Sequence, residues 1–228
     1  MSDADLLARL GKLDTCAVAD ALDKLQLTGV VLGIHPVGPP RRIVGRSVTV
    51  RLEPATPEVQ ARIAASGTKP RHLGTAAVEA AKPGDVIVVA NSGGPRTSGW
   101  GGILSTGAKQ KGVAGVIVDG GCRDVDEAWE LDLPVYSSGV VPMTARGRVM
   151  ETGWNEPVPF GDITVTPGDY VIADRSGVVF FTPAHAEEVV KTAEDIYARE
   201  AAMAAAVRAG QPISEVMGAT YEQLLERR

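Results

Sequence analysis

The chain has 228 residues, of which 44% are hydrophobic and 22% charged, and its formal net charge is −5. This composition is ordinary for a single compact α/β domain, so no second domain is required. No run approaches the ~18 consecutive apolar residues of a membrane span, no basic stripe suits nucleic acid, and Asp3 and Asp5 stand where a signal peptide would be basic. We therefore expect a cytoplasmic protein that binds neither membranes nor nucleic acid.

Cysteines and histidines do not indicate a metal centre in this sequence. Cys16 and Cys122 lie far apart and form no ligand spacing, so we expect both to be reduced, with Cys122 as a small buried side chain. His35, His72 and His185 fall in different segments and form no ligand pair of useful spacing.

From the N-terminus, the pattern predicts helices and then a loop. Residues 4–25 indicate two short helices separated by Gly11, with Asp14 or Thr15 as the N-cap of the second. Residues 31–40 are rich in glycine and proline and predict a loop.

The middle of the chain alternates strands and helices, which favours an α/β sheet with helical crossovers. The predicted elements are a strand around residues 48–52, a helix over 73–81, a strand over 86–90, a helix over 103–111, a strand over 116–118, a helix over 125–131 and a strand from 135. Beyond residue 150, strands are expected over 163–165, 170–173 and 178–181.

A long helix is predicted from Pro183 to about Ala209, ending at Gly210. Its apolar stripe has to be covered, either by its own sheet or by another subunit. We therefore divide the chain into an α/β core over residues 1–182 and a C-terminal helical arm over residues 183–228.

A glycine-rich loop joins the strand over residues 86–90 to the next helix. It reads Asn91-Ser-Gly-Gly-Pro-Arg-Thr-Ser-Gly-Trp-Gly-Gly-Ile-Leu104. Such a loop exposes backbone N–H groups at the positive end of a helix, which suits a phosphate or carboxylate. The pattern is neither a dinucleotide fingerprint nor a P-loop. The alternative is a flexible surface loop.

The next strand ends in an arginine beside an aspartate, in Val116-Ile-Val-Asp-Gly-Gly-Cys-Arg-Asp124. A short β-branched run that stops at two glycines predicts a buried strand, and α/β sheets bind ligands at the carboxyl ends of strands. Asp124 could hold a hard divalent cation, and Arg123 could grip a carboxylate or a developing enolate oxygen. Taken alone, the pair fits a surface ion pair on a turn equally well.

Together these motifs resemble the RraA-like family, which includes class II 4-hydroxy-4-methyl-2-oxoglutarate aldolases and oxaloacetate decarboxylases. The resemblance covers nearly the whole chain and implies an α/β single domain of the swivelling β/β/α type, with a central mixed sheet and flanking helices. The segments that carry it include Asp14-Thr-Cys-Ala-Val-Ala-Asp-Ala21, Gly101-Gly-Ile-Leu104, Gly112-Val-Ala-Gly115, Arg123-Asp124, Leu133-Pro-Val135 and Ala173-Asp-Arg-Ser-Gly-Val178.

The resemblance implies a lyase that uses Mg²⁺ or Mn²⁺ and acts on short 2-oxo dicarboxylic acids. The reactions are retro-aldol cleavage of 4-hydroxy-4-methyl-2-oxoglutarate to pyruvate and decarboxylation of oxaloacetate. Both leave an enolate, which a divalent cation stabilises. Asp124 would hold the metal, and Arg123 would contact the oxygen that becomes negative. The substrate carboxylate would meet the backbone amides of Gly101, Gly102, Ile103 and Leu104.

The resemblance also implies assembly, because in these aldolases a glutamate of the C-terminal arm enters the metal site of the neighbouring subunit. Glu200 is the matching residue here, which gives Arg123, Asp124 and Glu200 as catalytic residues of a homotrimer or homohexamer. Without the resemblance, Glu200 would be taken for a charge on a solvated helix face.

One departure weakens the match, since the aldolases usually carry an acidic residue at the position of Gly102. The metal shell is then thinner by one carboxylate, and Asp119 could compensate, although a role in a turn is the simpler interpretation. The rival hypothesis is a non-enzymatic regulator that binds a ribonuclease or another protein partner, because the family contains such a regulator too.

Overall fold

A computed structural model describes residues 2–67, 72–92, 94 and 96–218. The helices are α1 (Asp3–Leu10), α2 (Thr15–Lys24), α3 (Pro57–Ala65), α4 (Thr75–Ala80), α5 (Gly102–Gln110), α6 (Val125–Glu130), α7 (Ala186–Arg208) and α8 (Ile213–Val216). The strands are β1 (Val30–Val31), β2 (His35–Pro36), β3 (Ile43–Pro54), β4 (Val86–Asn91), β5 (Gly115–Cys122), β6 (Val135–Val140), β7 (Val149–Trp154), β8 (Val158–Phe160), β9 (Ile163–Val165), β10 (Tyr170–Asp174) and β11 (Gly177–Phe181).

A mixed sheet forms the centre of this single domain, in the order β1-β11-β10-β3-β4-β5-β6-β2, with β7 added beside β3. Strands β3, β4, β5 and β6 run parallel to one another, while β10, β11, β1 and β2 pair antiparallel at the two sides. Every residue of β4 is buried. Parallel strands that are covered on both faces need such continuous apolar runs. The predicted α/β fold with a central mixed sheet is therefore confirmed.

The two faces of the parallel strands are covered by different elements. Ile87 and Val89 of β4 pack in a cluster with residues of α4, α5 and α6. Val86 and Val88, which point to the opposite face, pack with the small hairpin of β8 and β9. Alternate side chains along β4 therefore serve two different cores, as the period of a strand requires.

A third core lies under the helical layer formed by α1, α2 and α7. Leu10, Val18 and Val190 are fully buried there against side chains of β10 and β11. The Asp14 carboxylate accepts a hydrogen bond of 2.8 Å from the Ala17 amide, so Asp14 is the N-cap of α2. The two predicted N-terminal helices and the gap between them are confirmed.

Several elements differ from the sequence-based predictions. Residues 31–40 are not all loop, because β2 and the end of β1 lie there and pair with β6 and β11. β5 does not stop after Val118: Gly120 has φ 142°, the register shifts, and pairing resumes at Gly121 and continues to Cys122. Helix α3 and strands β7 and β8 were not predicted.

The C-terminal arm follows the prediction closely. A 3₁₀ turn over Pro183–His185 leads into α7, which ends at Arg208. The predicted arm extends to residue 228 but is described only to residue 218, and its remainder lies outside the described residues. Within the described ranges, none of the helices is both long and apolar enough to cross a membrane.

Candidate active site at the carboxyl end of β5

The glycine-rich loop lies beside the end of β5, and this places it against the Arg-Asp pair. Ser98 forms a parallel bridge with Gly121, and the Gly99 amide donates a 2.8 Å hydrogen bond to the Gly121 carbonyl. One step further, the Arg123 amide donates to the Trp100 carbonyl at 3.0 Å. Residues 98–100 therefore act as an extra strand that brings the start of α5 to the end of β5.

Asp124 is held in an unusual backbone conformation between β5 and α6. Its φ of 55° and ψ of 43° lie in the left-handed region, where aspartate is tolerated better than most residues. Its Oδ2 accepts a 2.9 Å hydrogen bond from the Gly102 amide, and Arg123 Nε lies 3.3 Å from the same oxygen. The carboxylate thus caps the first turn of α5, where the helix dipole favours negative charge.

The charged pair remains open to solvent in a single chain. The side chains of Arg123 and Asp124 are 40% and 34% exposed. A cavity of about 720 Å³ lies elsewhere, beside Asp23, Asp162 and Phe180, and neither residue of the pair lines it. Both charged side chains are therefore accessible to solvent in a single chain.

Close packing explains the glycines at the start of α5. A Cβ on Gly101 would lie 2.9 Å from Asp124 Oδ2, and a Cβ on Gly102 would lie 3.2 Å from Asp124 Cβ. Any larger side chain at position 102 would press against the aspartate. An acidic residue at this position, as in the resembled aldolases, would need Asp124 to shift by a few tenths of an ångström.

A second acidic residue that sequence reasoning missed lies beside the same helix turn. The position that a Gly102 Cβ would take is 3.5 Å from Glu127 Cβ, on the first turn of α6. Glu127 is exposed, and it stands three residues after Asp124, a spacing that puts side chains on one helix face. This spacing was the available signal, and it was overlooked because the acidic group was sought at position 102 or 119.

The remaining predicted ligands for a substrate carboxylate are backbone amides. The Gly102 amide is already bonded to Asp124, and the Ser105 amide bonds to the Gly101 carbonyl. Helix geometry leaves the intervening amides of Ile103 and Leu104 without intrahelical acceptors. The Ile103 side chain is 88% exposed, so this turn faces solvent. Binding of a substrate carboxylate at the start of α5 stays a prediction, and the amides of Ile103 and Leu104 are the available donors.

Two other residues near the site have structural partners. Asp119 Oδ2 accepts a 3.2 Å hydrogen bond from the Gly161 amide, in the turn between β8 and β9. This bond supports a role for Asp119 in the turn and not as a replacement for the acidic residue missing at position 102. Cys122 is buried and forms no disulfide. Burial raises the pKa of its thiol; a hydrogen bond from Ser137 lowers this pKa, and the negative charge of Asp124 raises it further.

Glu200 is not brought to Arg123 and Asp124 within one chain. It lies on α7, which packs against α1 and α2 in a different core. Burial raises the pKa of the Glu200 carboxyl, and the negative charges of Asp20 and Asp14 raise it further. The structure thus places Glu200 beside α2, and its entry into a neighbouring subunit's site stays a prediction.

The donor set at the site fits some metal ions and not others. Among the residues described, no three of His, Cys, Asp and Glu converge as a metal-binding group, which does not match a closed zinc site. Asp124 and Glu127 are two acidic residues beside the first turn of α5. Mg²⁺ is often bound by one or two carboxylates with several waters, so the residues fit a hard, hydrated divalent cation.

The sequence of this chain is similar to those of several known proteins. A protein of Halalkalibacterium halodurans with the provisional name 4-hydroxy-4-methyl-2-oxoglutarate aldolase is 29% identical over 220 residues, which cover 95% of this chain and 97% of that protein. The Legionella pneumophila protein DlpA is 25% identical over 211 residues, or 92% of this chain. This chain spans about a third of DlpA, since the match covers 33% of it.

The fold comparison agrees with the sequence comparison. The crystal structure of RraAS2 from Streptomyces coelicolor, described as an unusual member of the RNase ES inhibitor RraA protein family, matches with a TM-score of 0.73 and 27% identity. The match covers 87% of this chain and 95% of RraAS2. The family model for RraA-like proteins, described as Aldolase/RraA, matches residues 15–180. This protein therefore belongs to the RraA-like family.

Proposed function

We propose that this protein is a divalent-metal-dependent carbon–carbon lyase for short 2-oxo dicarboxylic acids. Its substrates would be 4-hydroxy-4-methyl-2-oxoglutarate, cleaved to pyruvate, and oxaloacetate, which loses CO₂. The observation that carries the proposal is the Asp124 carboxylate, which lies between the Gly102 amide and the Arg123 guanidinium and is still one third exposed. The aldolase names of several relatives support the same chemistry.

Asp124 and Glu127 would hold Mg²⁺ or Mn²⁺, which supplies a Lewis acid that polarises the 2-oxo oxygen. The amides of Ile103 and Leu104 would bind the adjacent carboxylate at the positive end of α5. Arg123 would donate to the oxygen that gains charge as the bond breaks. Its planar guanidinium can satisfy two acceptor positions at once, which orients the substrate.

Decarboxylation asks for the fewest groups. The bond from C3 of oxaloacetate to the distal carboxylate breaks, CO₂ leaves, and the electron pair forms the enolate of pyruvate, which takes a proton from solvent at C3. No protein base is needed, and Arg123 stabilises the enolate oxygen. Retro-aldol cleavage breaks the C3–C4 bond and leaves pyruvate and the enolate of a second pyruvate, so it additionally needs a base to take the C4 hydroxyl proton.

Assembly into a trimer, or a hexamer of two trimers, forms part of the proposal. Over residues 201–208, no side chain of α7 is buried in one chain, and Ile103 beside the site is exposed. Since α7 packs away from β5 in its own chain, Glu200 could reach an Asp124 only in a neighbouring copy. Truncation before Pro183 should then abolish assembly and activity together, as measured by light scattering and turnover.

The test of the proposal is pyruvate release, coupled to lactate dehydrogenase, from each substrate with added Mg²⁺ or Mn²⁺. We expect turnover well above the rate of substrate and metal without protein, lost in Asp124→Ala. Asp126→Asn, an exposed neighbour on α6, is the matched control and should keep full activity. Background rates for both substrates with both metals would contradict the proposal.

A protein-binding regulator is the second candidate, favoured by the description of RraAS2 as a member of an RNase inhibitor family. A binding surface does not need the Asp124 carboxylate as a metal ligand. Inhibition of RNA cleavage by a ribonuclease E-type enzyme should then be equal for the wild type and Asp124→Ala. Absence of inhibition by both proteins would remove this candidate.

A further inference from the structure

Asn91, the last residue of β4, has a buried side-chain amide that none of the chemistry above uses. The residue is 2% exposed. Its Nδ2 donates a 2.8 Å hydrogen bond to the Thr97 carbonyl, at the start of the loop segment that lies beside β5. The bond joins the end of β4 to this segment across five intervening residues.

Two glycines press against the same amide from two different segments. A Cβ on Gly99 would lie 2.9 Å from Asn91 Nδ2, and a Cβ on Gly120 would lie 2.7 Å from the same atom. Gly99 belongs to the loop and Gly120 to the irregular part of β5, where φ is 142°. The Asn91 amide is therefore a spacer whose thickness sets how both backbones lie against β4.

These two backbones carry the candidate site. Directly after the spacer, the Gly99 amide bonds to Gly121 and the Arg123 amide bonds to Trp100. The next residues along the loop bring the Gly102 amide to 2.9 Å from Asp124 Oδ2. A shift of the loop against β5 at Asn91 would therefore move the amides of α5 relative to Arg123 and Asp124.

The Asn91 amide is also an incompletely satisfied polar group. Its Oδ1 is buried and has no hydrogen-bond partner among the described residues. The amide cannot simply flip, because Nδ2 faces the Thr97 carbonyl, which accepts and does not donate. Buried polar atoms without partners are rare in folded proteins and call for a reason other than stability.

We propose that Asn91 is a positioning residue, whose amide holds loop residues 97–101 against β5 and so aligns the start of α5 with Arg123 and Asp124. The inference rests on the proposed lyase function for its kinetic consequence. Its structural consequence, a loop fixed by Asn91, can be measured without any activity.

The kinetic test compares Asn91→Ala and Asn91→Asp with the wild type. Alanine removes the spacer, and aspartate keeps the shape but sets an acceptor against the Thr97 carbonyl. We expect kcat to fall about 10- to 100-fold in both, the range that a misplacement of about 1 Å can cost. The matched control is Ser92→Ala, which removes a hydrogen bond from the next side chain to the Leu52 carbonyl. It should leave kcat and KM unchanged.

A double-mutant cycle tests whether Asn91 acts through the spacing. In the wild type, Gly99→Ala sets a methyl group against Nδ2 and should lower kcat. In the Asn91→Ala background Nδ2 and Cγ are gone and only the Cβ, 3.2 Å from the new methyl group, remains. The same substitution should then cost about tenfold less, the non-additivity of residues in contact. Equal losses in the two backgrounds would show that Asn91 does not set the spacing, and would overturn the proposal.

Hydrogen exchange separates the proposal from the function on which it rests. Mass spectrometry of peptides covering residues 97–101 and 121–124 should show faster exchange in Asn91→Ala and Asn91→Asp, and unchanged exchange in Ser92→Ala. If the wild type releases no pyruvate, the proposed function fails and exchange alone decides the role of Asn91. Unchanged exchange in both Asn91 variants would overturn the proposal whatever the activity.

Discussion

The candidate site and the helical layer of α1, α2 and α7 use charged residues in opposite ways. In the helical layer, Arg9 donates to both carboxylate oxygens of Glu194, at 2.7 and 2.6 Å, so the pair closes on itself. At the end of β5, the Arg123 and Asp124 side chains make one contact with each other, and Asp124 also accepts a hydrogen bond from the Gly102 amide. Both side chains are partly exposed to solvent. The two pairs differ in geometry and not in exposure, since Arg9 and Glu194 form two parallel hydrogen bonds while Arg123 and Asp124 share a single contact. The second pair therefore keeps more capacity for a ligand.

The two regions also differ in what supports them. Under the helical layer, fully buried side chains such as Leu10, Val18 and Val190 supply the packing. At the site, the close contacts are between glycines and polar side chains, such as Gly101 with Asp124. Substitutions in the first region should therefore change the free energy of unfolding, and substitutions in the second should change activity with little effect on folding.

Removal of Asp124 should give the largest effect. Asp124→Ala should reduce pyruvate release to the background rate and abolish Mn²⁺ binding measured by calorimetry. The fold should survive, because the lost contact resembles a helix cap worth about 0.5–2 kcal/mol. Asp124→Asn is the matched variant, since asparagine keeps an acceptor for the Gly102 amide and tolerates the left-handed backbone. Wild-type affinity for Mn²⁺ in either variant would remove Asp124 as the ligand.

Truncation in the helical layer should have the reverse effect. Leu10 is fully buried, so Leu10→Ala should cost about 2–5 kcal/mol of unfolding free energy in urea. Below the melting temperature, kcat should be that of the wild type. Leu32→Ala, at a leucine that is 86% exposed, should change stability by less than about 0.5 kcal/mol. A loss of kcat in folded Leu10→Ala would contradict the expectation that substitutions in the helical layer change stability and not activity.

Arg123→Lys tests geometry at constant charge. Lysine cannot provide two donors in one plane, so turnover should fall by at least ~10²-fold, as when a transition-state donor is lost. Mn²⁺ affinity and the melting temperature should stay near those of the wild type. Near-normal turnover in this variant would exclude Arg123 from the proposed mechanism.

The sequence predicted the order of most elements because buried strands and amphipathic helices leave clear patterns. It did not predict the length of β5, since continuation past Gly120 depends on a bulge that only pairing with β6 reveals. Helix α3 had a readable signal that was missed: Thr56 caps it through the Val59 amide, and proline follows at the first helical position.

For the site, the sequence predicted Arg123 and Asp124 at a strand end, and both lie there. The position of Glu127 opposite Gly102, and the spacer role proposed for Asn91, depend on how the loop and α6 approach each other in space. The three-residue spacing from Asp124 to Glu127 can be read in the sequence, but the approach of α6 to Gly102 joins segments distant in sequence and leaves no periodic pattern. Glu200 shows the same limit of sequence-based prediction, because its place beside α2 follows from the packing of α7 and not from a pattern in the sequence.

Glu127 offers a smaller test of the site. Glu127→Gln should lower both Mn²⁺ affinity and turnover about tenfold, the lower end of the effect of removing a supporting group near a metal. Asp126→Asn removes a neighbouring exposed carboxylate from the same turn and should change neither quantity. Equal, negligible effects of the two substitutions would show that Glu127 does not replace the acidic group missing at Gly102.

Glu200 should give the smallest effect on stability and links the two regions. Its pKa is raised, so the ionised carboxylate opposes folding: its favourable contribution is present below the usual glutamate range and is lost as pH rises through the raised pKa. Glu200→Gln should therefore raise the melting temperature slightly at neutral pH, and this gain should vanish as pH falls below that range. Glu188→Gln, an exposed position on the same helix, is the control.

The same Glu200 variant tests the shared site. Glu200→Gln should keep the oligomer seen by light scattering, because the change preserves shape, and should lower turnover if the carboxylate serves a neighbouring copy's Asp124. A rise in melting temperature at neutral pH would show that the substitution is structurally benign, so a fall in turnover could not then be assigned to unfolding. Full lyase activity in a monomer of one chain's mass would show that each chain carries a complete site.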